Sequence, residues 1–551
     1  MTNPGRIRSC WAKPGATIRL HDRPIAMPGF EPDRRRPIAC AWVALLASLL
    51  VCGAPAPGQT LSDTAAAPFG QTVGVNVHMG GSRERVDPAL LQRLRDAGVT
   101  FVRNDLGWSS VERERGVYDF AGSGYDDFVE AAEAKGLRIL FILDYGNPLY
   151  GHAQAVVSDE GRRALAAFAA AAARRYGGRG HMWEIWNEPN LPQFWNGDGV
   201  LPDAQEYALL VQAAAPALRE ADPSGRILIG AAFVGLPDIV PLLGGIEGRD
   251  FLRRLLATDA PRLVDGITAH FYRAEPPESV ATTVSEIRQS MQEAGTVLPL
   301  WSGEWGYSTY DPDAPATGLN FLPAVSLDRQ ASYAARMMLT DYELGLAGSV
   351  WFQDRDAENP SPGDIEAHWG LLHHDLGAKP AFAALSALTG LIGDAQSFTA
   401  LALGEGEHGL SFETAGRPVT ALWSEETGQW RLEAKEAGVR MLSRDGRDVT
   451  PAALEDGLQV RLRSEDGPIY LLGGVAVLPP GSCPGDCRGD GEVTMDELVT
   501  GVRIALGEAD LLGCSVLDEN DDGRVAIDEL VRAIGSALAG CERGRSRTSD
   551  D

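Results

Sequence analysis

Between residues 70 and 390, short apolar runs alternate eight times with longer helical ones. The apolar runs fall at 73–78, 100–103, 138–143, 182–187, 227–231, 266–270, 298–302 and 348–352. Helical periodicity fills the gaps, at 88–97, 125–135, 161–176, 204–221, 250–258, 280–294, 327–344 and 381–388. Strands joined by helices form a parallel sheet with both faces covered, and eight such units predict a closed (β/α)8 barrel, an α/β fold. An open doubly wound sheet is the competing arrangement. It is disfavoured because no Gly-rich phosphate turn follows the first strand.

A barrel places its chemistry at the C-terminal ends of its strands. The polar residues of this chain gather there. His78 follows the first run, Arg103 and Asn104 the second, Asp144 and Tyr145 the third. Asn187 and Glu188 follow the fourth, His270 and Tyr272 close the sixth, Glu304 follows the seventh, and Trp351 and Gln353 close the eighth. Two of these stretches stand out. Trp183-Glu184-Ile185-Trp186-Asn187-Glu188-Pro189-Asn190 reads as a strand ending in a polar, Pro-terminated corner. Leu300-Trp301-Ser302-Gly303-Glu304-Trp305-Gly306 repeats the arrangement, with a Glu at the strand end among aromatics. Two carboxyl groups on separate strand ends are the equipment that cleavage of a glycosidic bond requires.

With these residues the barrel resembles the clan A glycoside hydrolases. Glu-Ile-Trp-Asn-Glu-Pro-Asn followed by Phe194-Trp195 looks most like family 39, with family 5 second. The resemblance implies a retaining glycosidase. Glu188 would be the general acid and later the base, its pKa raised by aromatic neighbours and the Glu304 charge. Glu304 would be the nucleophile, kept ionised by Arg103. Asn187 would bind the sugar 2-hydroxyl, Tyr272 and His270 would orient the nucleophile, and Trp351 would form a platform under the sugar. His78, Asp144 and Trp305 are further sugar contacts. The chemistry calls for no metal or organic cofactor. Retention predicts carboxyl groups roughly 5–5.5 Å apart, against about 6.5–9.5 Å for inversion.

At 551 residues the chain needs more than one core. Its net charge of −27 argues against nucleic acid as a partner. Twelve Trp supply rings for stacking on sugars, although most are better read as core. Residues 1–60 read as a leader: Arg34-Arg35-Arg36 precedes a short uncharged run, 38–52, and a small-residue exit. That predicts secretion, or a cell-surface or periplasmic location. Of the seven cysteines, Cys10, Cys40 and Cys52 lie in the leader and Cys483, Cys487, Cys514 and Cys541 near the C-terminus. Four cysteines in an exported module predict two disulfides, in any of three pairings.

From 391 to 480 the pattern changes to short alternating segments at 397–403, 409–413, 419–423, 430–434, 439–442, 458–462 and 468–472, which predict a small β-sandwich packed on the barrel. Pro479-Pro480-Gly481 marks a hinge. The region 483–541 holds a repeat. Asp486, Asp490, Glu492 and Glu497 occupy positions 1, 5, 7 and 12 of one twelve-residue calcium loop; Asp518, Asn520, Asp522, Arg524 and Glu529 occupy positions 1, 3, 5, 7 and 12 of another. Position 7 contributes a carbonyl, and Gly491 and Gly523 make the sharp turn at position 6. Arg488 replaces a ligand in the first copy. With helical runs at 498–506 and 530–538, the pair resembles an EF-hand pair or a dockerin-type module. That resemblance implies structural Ca2+ and a cohesin-like or cell-surface partner, although the position-12 Glu and the cysteines depart from the usual dockerin pattern.

The leading expectation is a secreted retaining glycosidase acting on a polysaccharide or glycan. The alternative is a non-catalytic carbohydrate-binding or calcium-dependent adhesion protein on an inactive barrel. A third possibility, transglycosylation, uses the same residues with a sugar acceptor.

Overall fold

The computed structural model describes residues 67–540 apart from 82–84, 198, 318–319, 452–453, 455–456, 479–482 and 521. The leader with Cys10, Cys40 and Cys52, the 479–481 hinge and Cys541 lie outside the described residues.

Eight parallel strands close into a barrel, as the alternation predicts: β1 (Val73–Asn76), β2 (Phe101–Gly107), β3 (Arg138–Asp144), β4 (Met182–Ile185), β5 (Arg226–Phe233), β6 (Gly266–His270), β7 (Leu300–Trp305) and β8 (Ser349–Trp351), with β8 pairing back to β1. Two strands run past their apolar stretches. β2 keeps register with β3 from Phe101↔Arg138 to Gly107↔Asp144, so Asn104 and Asp105 are strand residues. β7 takes in Glu304 itself. Here the hydrogen-bonded ladder outlasts the hydrophobic pattern because the barrel rim is polar. Several helices begin where a side chain closes the first turn. Asp87 accepts from Ala89 and Leu90, Ser158 from Gly161, Asp203 from Gln205 and Glu206, and Ser326 from Arg329.

Inside the barrel, Phe101, Leu140, Met182, Leu228, Trp301 and Val350 form an apolar plug. The wall is cut back to fit it. A Cβ on Gly74 would lie 2.4 Å from the Phe101 ring, and one on Gly348 would lie 2.2 Å from Trp301. Alternate residues of a strand share a face. Two positions on from Phe101 and Met182 stand Arg103 and Glu184, so a charged layer lies directly above the plug, towards the rim.

Eight antiparallel strands follow: β9 (Phe398–Ala400), β10 (Glu407–Phe412), β11 (Val419–Ser424), β12 (Thr427–Ala434), β13 (Arg440–Leu442), β14 (Leu458–Arg463), β15 (Ile469–Leu472) and β16 (Val475–Leu478). They form two sheets, ordered β13-β15-β11-β10-β9 and β14-β12-β16. β16 was not among the predicted strands; it follows β15 after only Gly473-Gly474, which hides the break between them. A buried ion pair braces these sheets on the barrel. Arg336, on the helix Leu327–Glu343, forks onto Glu278 at 2.8 and 2.7 Å and donates to the carbonyl and hydroxyl of Ser464 at 3.0 and 2.8 Å. The Trp423 indole N–H reaches Glu278 at 2.7 Å.

The C-terminal region holds helices Met495–Ala505 and Ile527–Ala539 and a Cys487–Cys514 disulfide that ties the loop before the first helix to the segment between them, around Ile504, Leu517, Val525 and Ala533. It is seated on the edge strand β14. The Gln459 amide donates to the Asp486 carbonyl at 2.8 Å, and the backbone N–H groups of Gln459 and Arg461 donate to Cys487 O and Ser515 Oγ. No helix among the described residues is long and apolar enough to cross a membrane.

Candidate active site

Arg103 organises the rim. Its guanidinium is fully buried and reaches groups from four other strands or strand ends. Nε donates to Glu184 Oε2 at 2.7 Å. One terminal nitrogen donates to Glu304 Oε2 at 2.6 Å and Asn76 Oδ1 at 3.1 Å. The other donates to Asn187 Oδ1 at 2.8 Å and faces His270 Nε2 at 3.3 Å. Burial opposes this charge, but the Glu184 and Glu304 carboxylates more than reverse that effect and hold the Arg103 pKa above its ordinary value.

The partners of Arg103 fix the proton on His270. A guanidinium only donates, so His270 Nε2 accepts and Nδ1 carries the hydrogen. Nδ1 lies 2.8 Å from Glu188 Oε1 and 3.9 Å from Glu304 Oε2. Burial and then Arg103 push the imidazole pKa well down, which keeps the ring neutral. His270 therefore steadies Glu188 more than the nucleophile candidate Glu304, a correction to the predicted role. Tyr272 does serve Glu304, donating its hydroxyl to Oε1 at 2.7 Å.

Glu188 and Glu304 each place a carboxylate oxygen within 4.8 Å of the other and of a His270 nitrogen. The trio has the spacing of a metal site, but the adjoining Arg103 cation already supplies its positive charge. Burial first and the Glu304 charge second push Glu188 well above the usual carboxylate range; Arg103 pulls against them and Glu366 adds a further push. Burial raises Glu304 too, but less far: Arg103 and the Tyr272 hydroxyl pull it back without cancelling the rise. The first proton taken up by the pair therefore sits on Glu188.

Local backbone geometry aims Glu188. Trp186 and Glu188 both have positive φ, 72° and 44°, so the chain corners sharply after β4. Asn190 clamps the corner: its amide bonds Phe233 O and Ile246 O at 3.0 Å and accepts from Phe233 N at 3.0 Å. The Glu188 N–H donates to Ala231 O at 3.0 Å. Asn187, with its oxygen held by Arg103, turns its NH2 towards the rim, where it also meets Tyr145 Oη at 3.2 Å.

His78 is half-buried at the rim, with Gln353 Oε1 at 3.1 Å from Nε2 and Asp105 Oδ2 at 3.4 Å from Nδ1. Asp144 is buried at the end of β3. Trp305 and Trp351 differ from the sequence reading. Both are fully buried, and Trp351 donates its indole N–H to Trp369 O at 3.2 Å. Neither offers an open face to a sugar. The half-buried rings are Phe352, beside Tyr272, and Tyr145, stacked on Phe194 at 5.8 Å. Glu184, Asn76, Asp105 and Glu366 were absent from the predicted site. A lone carboxylate inside the apolar run Met-Trp-Glu-Ile was the available signal, because a buried charge needs a partner.

The two acidic loops of the C-terminal region have the donors for calcium. Asp486 accepts from the N–H groups of Gly489, Asp490 and Gly491, and Asp518 from those of Asp522 and Gly523. Gly491 and Gly523 take φ of 89° and 80°, the turn that position 6 requires. Glu497 and Glu529 are buried and face their loops' N–H groups. Burial first raises the pKa of both Asp486 and Asp518, and neighbouring carboxylates raise them further. Such a crowding of negative charge fits a hard cation held by Asp518, Asn520, Asp522, the Arg524 carbonyl and Glu529. It fits less well in the first loop, where Arg488 stands at position 3.

No protein-family model matches the chain, and no curated protein matches it. Solved structures do. A family 39 glycoside hydrolase from the gut symbiont Bacteroides cellulosilyticus WH2 superposes with a TM-score of 0.59 at 22% identity, covering 74% of this chain and 81% of that one. The family 39 enzyme from Xanthomonas axonopodis pv. citri gives 0.50 at 18% identity, covering 76% and 95%. A family 39 β-xylosidase from Caulobacter crescentus gives 0.50 at 19% identity, covering 75% and 98%. At these identities the likeness is one of fold: the chain shares the closed eight-stranded barrel of these structures.

Proposed function

We propose that this protein is an exported glycosidase that cleaves O-glycosidic bonds of a polysaccharide or glycan with retention of configuration. The observation that carries this reading is the Glu188–Glu304 pair: two buried carboxyl groups, close together, with His270 against one and the Arg103 guanidinium and Tyr272 hydroxyl against the other. Glu304 attacks the anomeric carbon while Glu188 delivers its proton to the departing oxygen; Glu188 then takes a proton from the water that releases the sugar. An oxygen–oxygen approach within 4.8 Å accords with the short separation of retaining enzymes, where no water need fit between the carboxyl groups. No cofactor enters these steps. The family 39 folds lend support by analogy.

The C-terminal region we read as a calcium-stabilised anchoring or spacing module, with a cohesin-like or cell-surface partner. Its helices expose Met495, Val499, Val502 and Leu506 on one and Ile527, Val531, Ile534 and Leu538 on the other, at matching positions of the two repeats. The deciding experiment is a screen of aryl glycosides and glycans with the mature chain. Turnover lost in Glu304→Ala and restored by azide, with a glycosyl azide as product, supports the reading. Sugar binding with no turnover on any substrate favours the adhesion alternative.

A further inference from the structure

The mechanism above gives no task to Glu184. Its side chain is wholly buried between the apolar plug and the rim, where it touches Arg103 and not a ligand. Its other oxygen, Oε1, accepts from the Thr268 hydroxyl at 2.5 Å. That hydroxyl accepts in turn from Ala231 N at 2.8 Å, and its hydrogen goes to Glu184 in preference to the more distant Ile229 O at 3.3 Å. Glu184 is thus fixed as an acceptor on both sides, one of them Arg103 Nε, while the two terminal nitrogens face Glu304, Asn76, Asn187 and His270.

Resting on the double-displacement reading, we infer that Glu184 is a positioning residue that serves as the permanent counter-ion of Arg103 while the charge of Glu304 comes and goes. When a Glu304 oxygen bonds to the anomeric carbon and the bond to the leaving oxygen breaks, with the Glu188 proton going to that oxygen, Glu304 becomes a neutral ester. Without Glu184, Arg103 would then be a buried cation with no carboxylate in contact, because the negative charge has passed to Glu188, which it meets only across His270, an arrangement that is unfavourable. Glu184 keeps it paired through the intermediate. When water attacks the same carbon, gives its proton to Glu188 and displaces Glu304 as carboxylate, the second pairing returns. Glu184 also draws the guanidinium towards itself. Glu304 is then held as an anion less tightly and remains a better nucleophile.

The test uses Glu184→Gln, Glu184→Asp and Thr268→Val in the mature chain. Glu304 is followed by NMR of isotope-labelled glutamate carboxyls, its signal assigned by its loss in Glu304→Gln. In Glu184→Gln the Glu304 titration midpoint moves down by about 1 pH unit, since one of two anions on Arg103 is gone. With a 2-deoxy-2-fluoro aryl glycoside, inactivation by formation of the glycosyl-enzyme slows on the order of 10-fold, about 1.4 kcal/mol, while reactivation changes far less. Glu184→Asp keeps the charge and stays near wild type in both. An unmoved Glu304 midpoint, or equal slowing of both steps, overturns the inference. Should Glu184→Gln not fold, Thr268→Val decides: without that hydrogen bond Glu184 leans harder on Arg103, and the Glu304 midpoint must move up. Absence of turnover in the wild type would count against the glycosidase reading alone, because the Glu304 titration needs no substrate.

Discussion

His270 donates its Nδ1–H to Glu188 Oε1 across 2.8 Å while its Nε2 faces the Arg103 guanidinium. One neutral ring thereby links Glu188 to the cation that holds Glu304. His270→Ala should lower kcat/KM by roughly 10–100-fold, and the basic limb of the pH profile should shift because Glu188 loses a donor. His270→Gln keeps a donor at that place and should recover part of the loss. Steady-state kinetics across pH on an aryl glycoside measures both.

The protonation pattern predicts a bell-shaped pH dependence of kcat/KM. Glu304 must be ionised, so activity falls on the acid side as it protonates; Glu188 must carry its proton, so activity falls on the alkaline side as it ionises. Glu188→Gln should remove the alkaline limb and reduce kcat/KM by about 10²–10⁴-fold, with the smallest loss on substrates whose leaving group needs no proton. A retained alkaline limb in that variant would assign the acid elsewhere.

Stability follows from the same shift. The folded Glu188 carboxyl titrates well above its unfolded value. It therefore favours the fold fully below the unfolded pKa of about 4.3, and that contribution is lost as pH rises through the folded pKa. Glu188→Gln cannot ionise, so its melting temperature should match that of the wild type in acid, exceed it increasingly as pH rises above about 4.3, and keep a constant excess once pH passes the folded pKa. Thermal melts at a series of pH values give the answer.

Glu278→Ala should destabilise the protein by about 3–5 kcal/mol, because it strands a fully buried Arg336. The joint Glu278→Ala, Arg336→Met change should cost markedly less than the single one. Urea unfolding of the single and double variants distinguishes a lost charge pair from simple loss of packing.

Calcium should raise the thermal stability of the mature chain, by about 2.7 kcal/mol at a free concentration a hundredfold above Kd. Glu529→Gln should abolish most of this gain and Glu497→Gln less, since Arg488 weakens the first loop. Calorimetry with and without chelator reads the difference.

The barrel and both strand-end glutamates were legible in the sequence, because the fold exports its chemistry to positions where an apolar run gives way to polar residues. Glu184 was passed over for the opposite reason. It sits within the run, and only the closed ring of strands brings it to Arg103. Trp351 was expected as a sugar platform and Trp305 as a sugar contact, but residue type does not tell which way an indole faces at a strand end; here both are fully buried. β16 was missed because Gly473-Gly474 leaves no room for a turn signal between it and β15. The acidic loops were plain from spacing. Their seat on β14 depends on backbone N–H groups, which no side-chain pattern records.

The attachment of the C-terminal region along Gln459 and Arg461 has a consequence for shortened forms of the protein. Cut before Cys483, the chain would leave the outer rim of β14 as a row of unanswered amides, a template on which another molecule's strand can add. Proteolytic loss of this region should thus show itself as self-association and precipitation, even where the barrel and its glutamates are untouched.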